Sequence, residues 1–272
     1  MTTIESTTQE LEQIAEEAAD ETEAATNIHH LSYSTCKKIY RRGIDYALGT
    51  KLGLIEEAYG KAADIGTMIH AYTLGGNPEW IESPYDNFRT KAAQEWRAEQ
   101  TKIILTPAEI VQIEKTALAV ARHPLAAQLL NSCDLEQKLT AKVNGIEFVG
   151  YADGISKDRK IIFDLKTTAQ FDQFKWQAFK NDFDLQASVY RLFGDNAAYY
   201  FIVAETVAPY RVQIFGTAPE FYDNGNRKLE HAIDEFKKFR SRPGDNDRER
   251  INFNVGETGI LEKVETLGDW SN

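Results

Sequence analysis

Asp153, Asp164 and Lys166 are the residues whose types and spacing best suit chemistry. They fall in the stretch IEFVGYADGISKDRKIIFDLKTT, residues 146–168. Residues 146–155 are rich in β-branched and aromatic side chains, and 160–167 form an apolar run that ends polar. Ser156-Lys157-Asp158-Arg159 lies between them as a polar turn, so the pattern predicts a β-hairpin. Side chains on a strand alternate faces, which puts Asp164 and Lys166 on one face and Leu165 on the other. Asp153 returns alongside on the neighbouring arm. Two carboxylates in apolar surroundings need a counter-charge, and a divalent cation supplies one. A lysine beside such an ion orients a water or steadies charge on a phosphate. The plainer alternative is a surface hairpin whose charges are simply solvated, and spacing alone favours it.

The elements that must position these residues can be followed along the chain. Ser32 or Ser34 caps a short helix through Cys36, Ile39 and Tyr40. A second helix is expected over 59–74, stopped by Gly75-Gly76. His70 lies on it among Ile65, Met68, Ile69 and Ala71, company that suits a buried core histidine as well as a ligand. Residues 77–100 are polar and aromatic, with weak helical character at 91–99, and read as an insertion lining a substrate channel. Thr106, Pro107 and Glu109 form a strong helix start, and that helix runs to 122. His123-Pro124 breaks it, and a short helix follows over 125–131. A strand at 134–143 leads through Asn144-Gly145 into the hairpin, giving three consecutive antiparallel strands. Helices at 171–179 and 183–193, strands at 198–204 and 211–215, and a long helix over 219–239 complete the chain. The fold class is therefore α/β in the α+β sense, a mixed central sheet with an antiparallel hairpin, flanked by helices.

At 272 residues the chain is long enough for one large domain or two small ones. No apolar run reaches the length of a membrane span, and a soluble, cytoplasmic protein is expected. Cys36 and Cys133, the only two cysteines, cannot build a four-thiolate zinc or iron–sulfur site. The net charge of −11 argues against nucleic acid until its distribution is seen. Residues 1–28 carry eight carboxylates and no lysine or arginine, and setting those aside leaves −3. They read as an acidic tail with a transient helix at 9–19, ahead of a domain at 29–242 and a loosely ordered tail at 243–272. Basic clusters stand at Lys37, Lys38, Arg41 and Arg42, and at Lys237, Lys238, Arg240 and Arg242. Each is a candidate nucleic-acid field or a solvated mixed-charge helix face.

Taken together, Gly66-x-x-x-His70, Gly150-Tyr151-Ala152-Asp153, Asp164-Leu165-Lys166-Thr167-Thr168 and Gln186-x-x-x-Tyr190 follow one another in a familiar order. With the opening Leu31-Ser32-Tyr33-Ser34 they make the chain resemble the PD-(D/E)XK nuclease superfamily, with its restriction-endonuclease-like core. The likeness is to the RecE-type, exodeoxyribonuclease VIII-like exonucleases of phages and prophages, and to RecB-type nuclease domains. It spans about residues 31–239, with glycine where the superfamily usually has proline ahead of the first acidic motif.

The resemblance implies that Asp153 and Asp164, the Leu165 carbonyl and His70 hold Mg²⁺, or Mn²⁺ as a substitute, as a pair of ions. Lys166 would position or help deprotonate the attacking water. Gln186 and Tyr190 would sit at the rim, orienting the nucleophile or the DNA backbone. Glu136, on the adjacent strand, is a further acidic ligand or a solvated strand carboxylate. Ser34, Lys37, Lys38, Arg41 and Arg42 are candidate DNA contacts. Thr167 and Thr168 either bond phosphate oxygens or merely favour the strand.

The activity implied is metal-dependent exonucleolytic hydrolysis of linear double-stranded DNA. It would run 5′ to 3′ and leave 3′ overhangs for recombination with a single-strand annealing protein. A homo-oligomer, as a ring around DNA, and the bacterial host cytosol for a phage-encoded chain go with it. The alternatives are a structure-specific endonuclease, a DNA-end binding or scaffold module, and a metal-binding structural domain.

Overall fold

The computed structural model describes residues 27–57 and 61–253, with side chains from residue 64 onward in the second segment. A short strand β1 (His30–Leu31) leads into α1 (Tyr33–Arg42), capped by the Ser32 side chain, which accepts from the Thr35 N–H. Helix α2 (Ile44–Lys51) follows and was not expected from the sequence. Next come α3 (Lys61–Leu74), β2 (Trp80–Glu82), α4 (Lys91–Ala98) and β3 (Ile103–Leu105). Strand β2, inside the stretch expected to be an insertion, forms a small parallel pair with β3, which lies just beyond it. The Thr106–Glu109 capping box and Pro107 open α5 (Pro107–Arg122), and α6 (Pro124–Ser132) follows the break at His123.

Three long strands come next: β4 (Cys133–Val143), β5 (Ile146–Ser156) and β6 (Ile161–Thr168). Asn144 and Gly145 take φ of 53° and 81°, the left-handed pair that a two-residue hairpin turn requires. A 3₁₀ turn (Phe171–Gln173) precedes α7 (Phe174–Lys180) and α8 (Phe183–Arg191). Strands β7 (Ala198–Glu205) and β8 (Val212–Gly216), α9 (Pro219–Arg240) and α10 (Asp247–Arg250) complete the fold.

The main sheet runs β1-β5-β6-β7-β8, with β4 joined to β5. It is mixed: β6 and β7 are parallel from Ile161↔Ala198 to Thr168↔Glu205, and the β4–β5 hairpin is antiparallel. Strand β6 is buried on both faces, which explains its near-continuous apolar run. Ile162 joins the core under α1, α2, α8 and α9, whereas Phe163 and Leu165 join the core under α3, α5 and α6.

Both expected domain boundaries move outward. Ile28 is buried, and its N–H donates to Asp247 Oδ2 at 2.8 Å. Asp247 is itself buried and also pairs with Arg240 and Arg250 at 3.0 Å. Residues 243–250 are thus stapled to the start of the domain, where a loose tail was expected. Residues 1–26 and 254–272, with most of the two expected tails and the helix at 9–19, lie outside the described residues, as does Tyr59. Among the described residues no helix is long and apolar enough to cross a membrane.

Candidate metal centre and cleft

Strands β5 and β6 are paired at Gly154↔Phe163 and Ile155↔Ile162, and beyond that point they part. Gly154 suits the junction because a side-chain carbon there would overlap the Phe163 ring. Asp153 fills the opening: its Oδ2 accepts from the Leu165 N–H at 2.6 Å. Since Leu165 is held in register with Ile202, this bond fixes the carboxylate against a strand paired along its whole length.

Helix α3 supplies the second group. Met68 and Ile69 are buried with Phe163 and Leu165, which holds the intervening turn of α3 against β6 and leaves His70 half-buried at the cleft wall. His70 Nδ1 lies 3.5 Å from Asp153 Oδ2. The third group is Glu136 on β4. One ligand atom from each of His70, Glu136 and Asp153 lies within 4.8 Å of the other two. A cleft of about 800 Å³ opens over them, walled by Gly66, Thr67, Gly75 and Thr167, with Pro78 the contribution of the expected insertion.

Burial, and then the charge of Asp164, push the Asp153 carboxyl up to about 8. Burial also holds the His70 imidazole below its ordinary value, while Asp164 and the Leu165 backbone act the other way. A neutral imidazole and a carboxyl that resists ionising without a counter-charge are what a cation site looks like before it is loaded. One imidazole with two carboxylates suits a divalent ion of the magnesium or manganese kind.

Asp164 stands beside this cluster, and its charge acts on both Asp153 and His70. Its Oδ1 accepts from Gln186 Nε2 at 2.5 Å. Its Oδ2 lies 2.7 Å from Lys166 Nζ, at an angle that makes no hydrogen bond, and is otherwise a buried oxygen without a partner. The oxygen has the Lys166 ammonium beside it but no hydrogen bond, so it keeps a lone pair for a cation. Lys166 is held from the other side by the Phe183 ring, 4.6 Å from its Nζ.

The structure therefore brings together His70, Asp153 and Glu136, with Asp164, Lys166 and Gln186 alongside. Two placements differ from expectation. Gln186 and Tyr190 are buried rather than at a rim. The Tyr190 hydroxyl donates to the Tyr151 carbonyl at 2.7 Å and braces α8 against β5, because a buried phenol must find an acceptor.

The candidate DNA contacts are divided. Thr167 faces the cleft, whereas the Thr168 hydroxyl bonds Gln177 and caps the Gln170 N–H. Lys38 pairs with Glu57, Arg41 with Asp182, and Arg42 stacks 3.8 Å over Tyr46. Lys37 is half-buried near Lys166, and burial lowers its pKa. Ser34 is exposed, its hydroxyl 2.9 Å from that of Ser32. In the second basic cluster, Lys238, Arg240 and Arg242 pair with Glu235, Asp247 and Asp45.

Sequence pattern missed the support beneath α8. Lys228, buried on α9, lies 2.8 Å from both Asp182 and Asp184, themselves fully buried. Arg41 completes the group at 2.6 Å from Asp182. It anchors the N-terminus of α8, which carries Phe183 and Gln186. No local spacing announces a lysine more than forty residues from its partners.

The family model described as a PDDEXK-like domain of unknown function (DUF3799) matches residues 32–250. Among solved structures, a candidate exonuclease from Eubacterium rectale is similar at 16% identity and a TM-score of 0.55, over 76% of this chain and 82% of that one. A phage-related exonuclease from Haemophilus somnus is similar at 15% identity and a TM-score of 0.33, over 78% of this chain and 95% of that one. An alkaline exonuclease from Laribacter hongkongensis has 11% identity and a TM-score of 0.31, over 63% and 93%. No curated protein matches. Because that family model covers residues 32–250, most of the chain, the chain belongs to the PDDEXK-like family DUF3799.

Proposed function

We propose that the chain is a divalent-metal-dependent nuclease that hydrolyses phosphodiester bonds in linear double-stranded DNA, working from the ends. The observation that carries this is the convergence of His70, Asp153 and Glu136 on one point of the cleft, beside the Asp164–Lys166 pair. The PDDEXK-like family and the fold likeness to a candidate exonuclease support the same reading.

His70, Asp153 and Glu136 would hold Mg²⁺, or Mn²⁺ in its place, and Asp164 and the Leu165 carbonyl would help to hold a second ion. The bound ions supply Lewis acidity and neutralise charge at the phosphate. The chain's own residues do the positioning. Lys166 Nζ, steadied by Asp164 and Phe183, donates to a water or a phosphate oxygen beside the metal ligands. Gln186 holds Asp164 Oδ1 and so keeps Oδ2 directed at Lys166. Thr167 offers a hydroxyl to a neighbouring phosphate oxygen.

Polarity from the 5′ end, a 3′ overhang, a single-strand annealing protein as partner and an oligomeric ring in the cytoplasm all belong to this proposal. Digestion of end-labelled linear duplex, with closed circular DNA alongside, tests it using wild type and Lys166→Ala in Mg²⁺ or EDTA. Loss of the linear substrate alone, dependent on metal and on Lys166, is expected. Cutting of the circle points to an endonuclease. Binding without cleavage of either substrate leaves a DNA-end binding module.

A further inference from the structure

The outer half of the β4–β5 hairpin shows two different faces. Leu139, Phe148 and Ala152 point into the core. On the other face, Lys138 pairs in register with Tyr151, Thr140 with Val149 and Lys142 with Glu147. Lys138, Thr140 and Lys142 are exposed, and Tyr151 keeps 61% of its surface in solvent. Of the exposed large apolar side chains among the described residues, Trp176 alone is as open.

The strip begins at the cleft. Lys138 follows Glu136 by two residues, and Tyr151 precedes Asp153 by two. Unlike Lys38, Arg41, Arg240 and Arg242, neither Lys138 nor Lys142 has an ion-pair partner among the described residues. The Tyr151 backbone is also stiff: its carbonyl accepts the Tyr190 hydroxyl. Successive pairs on one strand face recur about every 6.8 Å, a step that one nucleotide spans when its base is unstacked from the next. An aromatic face and lysines at that step are the parts of a single-strand binding platform. A duplex can meet the lysines with its phosphates, but its bases present no free face to Tyr151.

We propose that this strip is a track for single-stranded DNA, with a base stacked on Tyr151 and phosphates beside Lys138 and Lys142. It rests on the nuclease reading for its purpose, since it would carry the strand entering or leaving the catalytic cleft. It does not need that reading for its chemistry.

Anisotropy of a fluorescein-labelled 15-mer of oligo-dT in EDTA tests the track with the full chain. Tyr151→Ala should weaken binding by roughly tenfold or more, and Tyr151→Phe should keep it. Lys138→Ala should weaken it and make the salt dependence shallower by about 0.7 in the log–log slope. A 5-iodouracil base placed along the strand should crosslink to the peptide carrying Tyr151 under near-ultraviolet light. Thermal melts guard against misfolding, as Tyr151 is exposed.

Hydrolysis of bis(p-nitrophenyl) phosphate in Mn²⁺, a substrate too small to reach the strip, reads the catalytic cleft separately. Hydrolysis that persists while Tyr151→Ala binds oligo-dT like wild type overturns the track and leaves the nuclease. Absent hydrolysis with Tyr151-dependent binding overturns the nuclease and leaves the track. Failure of wild type to bind oligo-dT at micromolar concentration also overturns the track.

Discussion

Glu136 stands across the hairpin from Asp153, and the ladder skips that one pair. The register runs through Leu135↔Gly154 and resumes at Gln137↔Ala152. Glu136 takes φ of 51°, a left-handed backbone that a non-glycine residue adopts at a cost of about 1–2 kcal/mol. Strain of that kind persists where the surroundings impose it, and here it coincides with the ligand cluster.

Glu136→Gly should therefore raise the stability of the metal-free protein by about 1 kcal/mol, because glycine tolerates the left-handed backbone. The same change should weaken divalent-ion binding by at least about tenfold. Thermal melts in EDTA read the first effect, and calorimetric titration with Mn²⁺ reads the second. A variant that loses stability yet binds Mn²⁺ normally would show that Glu136 is only a strand residue.

Asp153 should make the metal-free protein less stable as pH rises. Folded, it keeps its proton up to about pH 8; unfolded, it ionises near ~4. Below both values the proton is bound in either state and nothing is gained or lost. Between them the unfolded chain binds fewer protons, so stability contributed at this site falls from about pH 4 to about pH 8, then levels. Asp153→Asn should flatten that part of the profile in EDTA. Divalent-ion affinity should climb through the same window, since loading displaces the proton. Equal slopes for wild type and Asp153→Asn would refute both statements.

Lys166→Ala should lower cleavage of linear DNA by roughly 10²–10⁴-fold. It should also lower the melting temperature, since it takes away the ammonium 2.7 Å from the buried Asp164 carboxylate. A mild loss, under about threefold, would move the proton-handling role elsewhere.

Lys228→Met should destabilise the fold by about 3–5 kcal/mol, since it leaves Asp182 and Asp184 buried without their shared cation. Arg41 still reaches Asp182, so Asp184 is the more exposed to this loss. Denaturant unfolding checks it. Changing Asp182 and Asp184 to Asn in the same chain should recover much of the stability, as the only charge then left unpaired, on Arg41, is half-exposed.

Much of this protein was legible in its sequence because local rules act within a few residues. The Thr106–Glu109 capping box, the Asn144-Gly145 turn and the Asp164–Lys166 shared face all stand as the pattern required. Counting outward from the two-residue turn even puts Glu136 opposite Asp153, a signal that adjacency in the sequence conceals. Tertiary structure alone decided which polar groups met. It sent Asp164 toward Gln186 and Lys166, turned the Tyr190 hydroxyl inward to Tyr151, and engaged Lys38 and Arg41 with carboxylates of the chain itself. It also drew residues 27–28 and 247 together across the whole chain. The physical reason is range. Helix caps and turns are set by bonds to near neighbours, whereas a buried charge takes whichever partner the packed fold brings within reach.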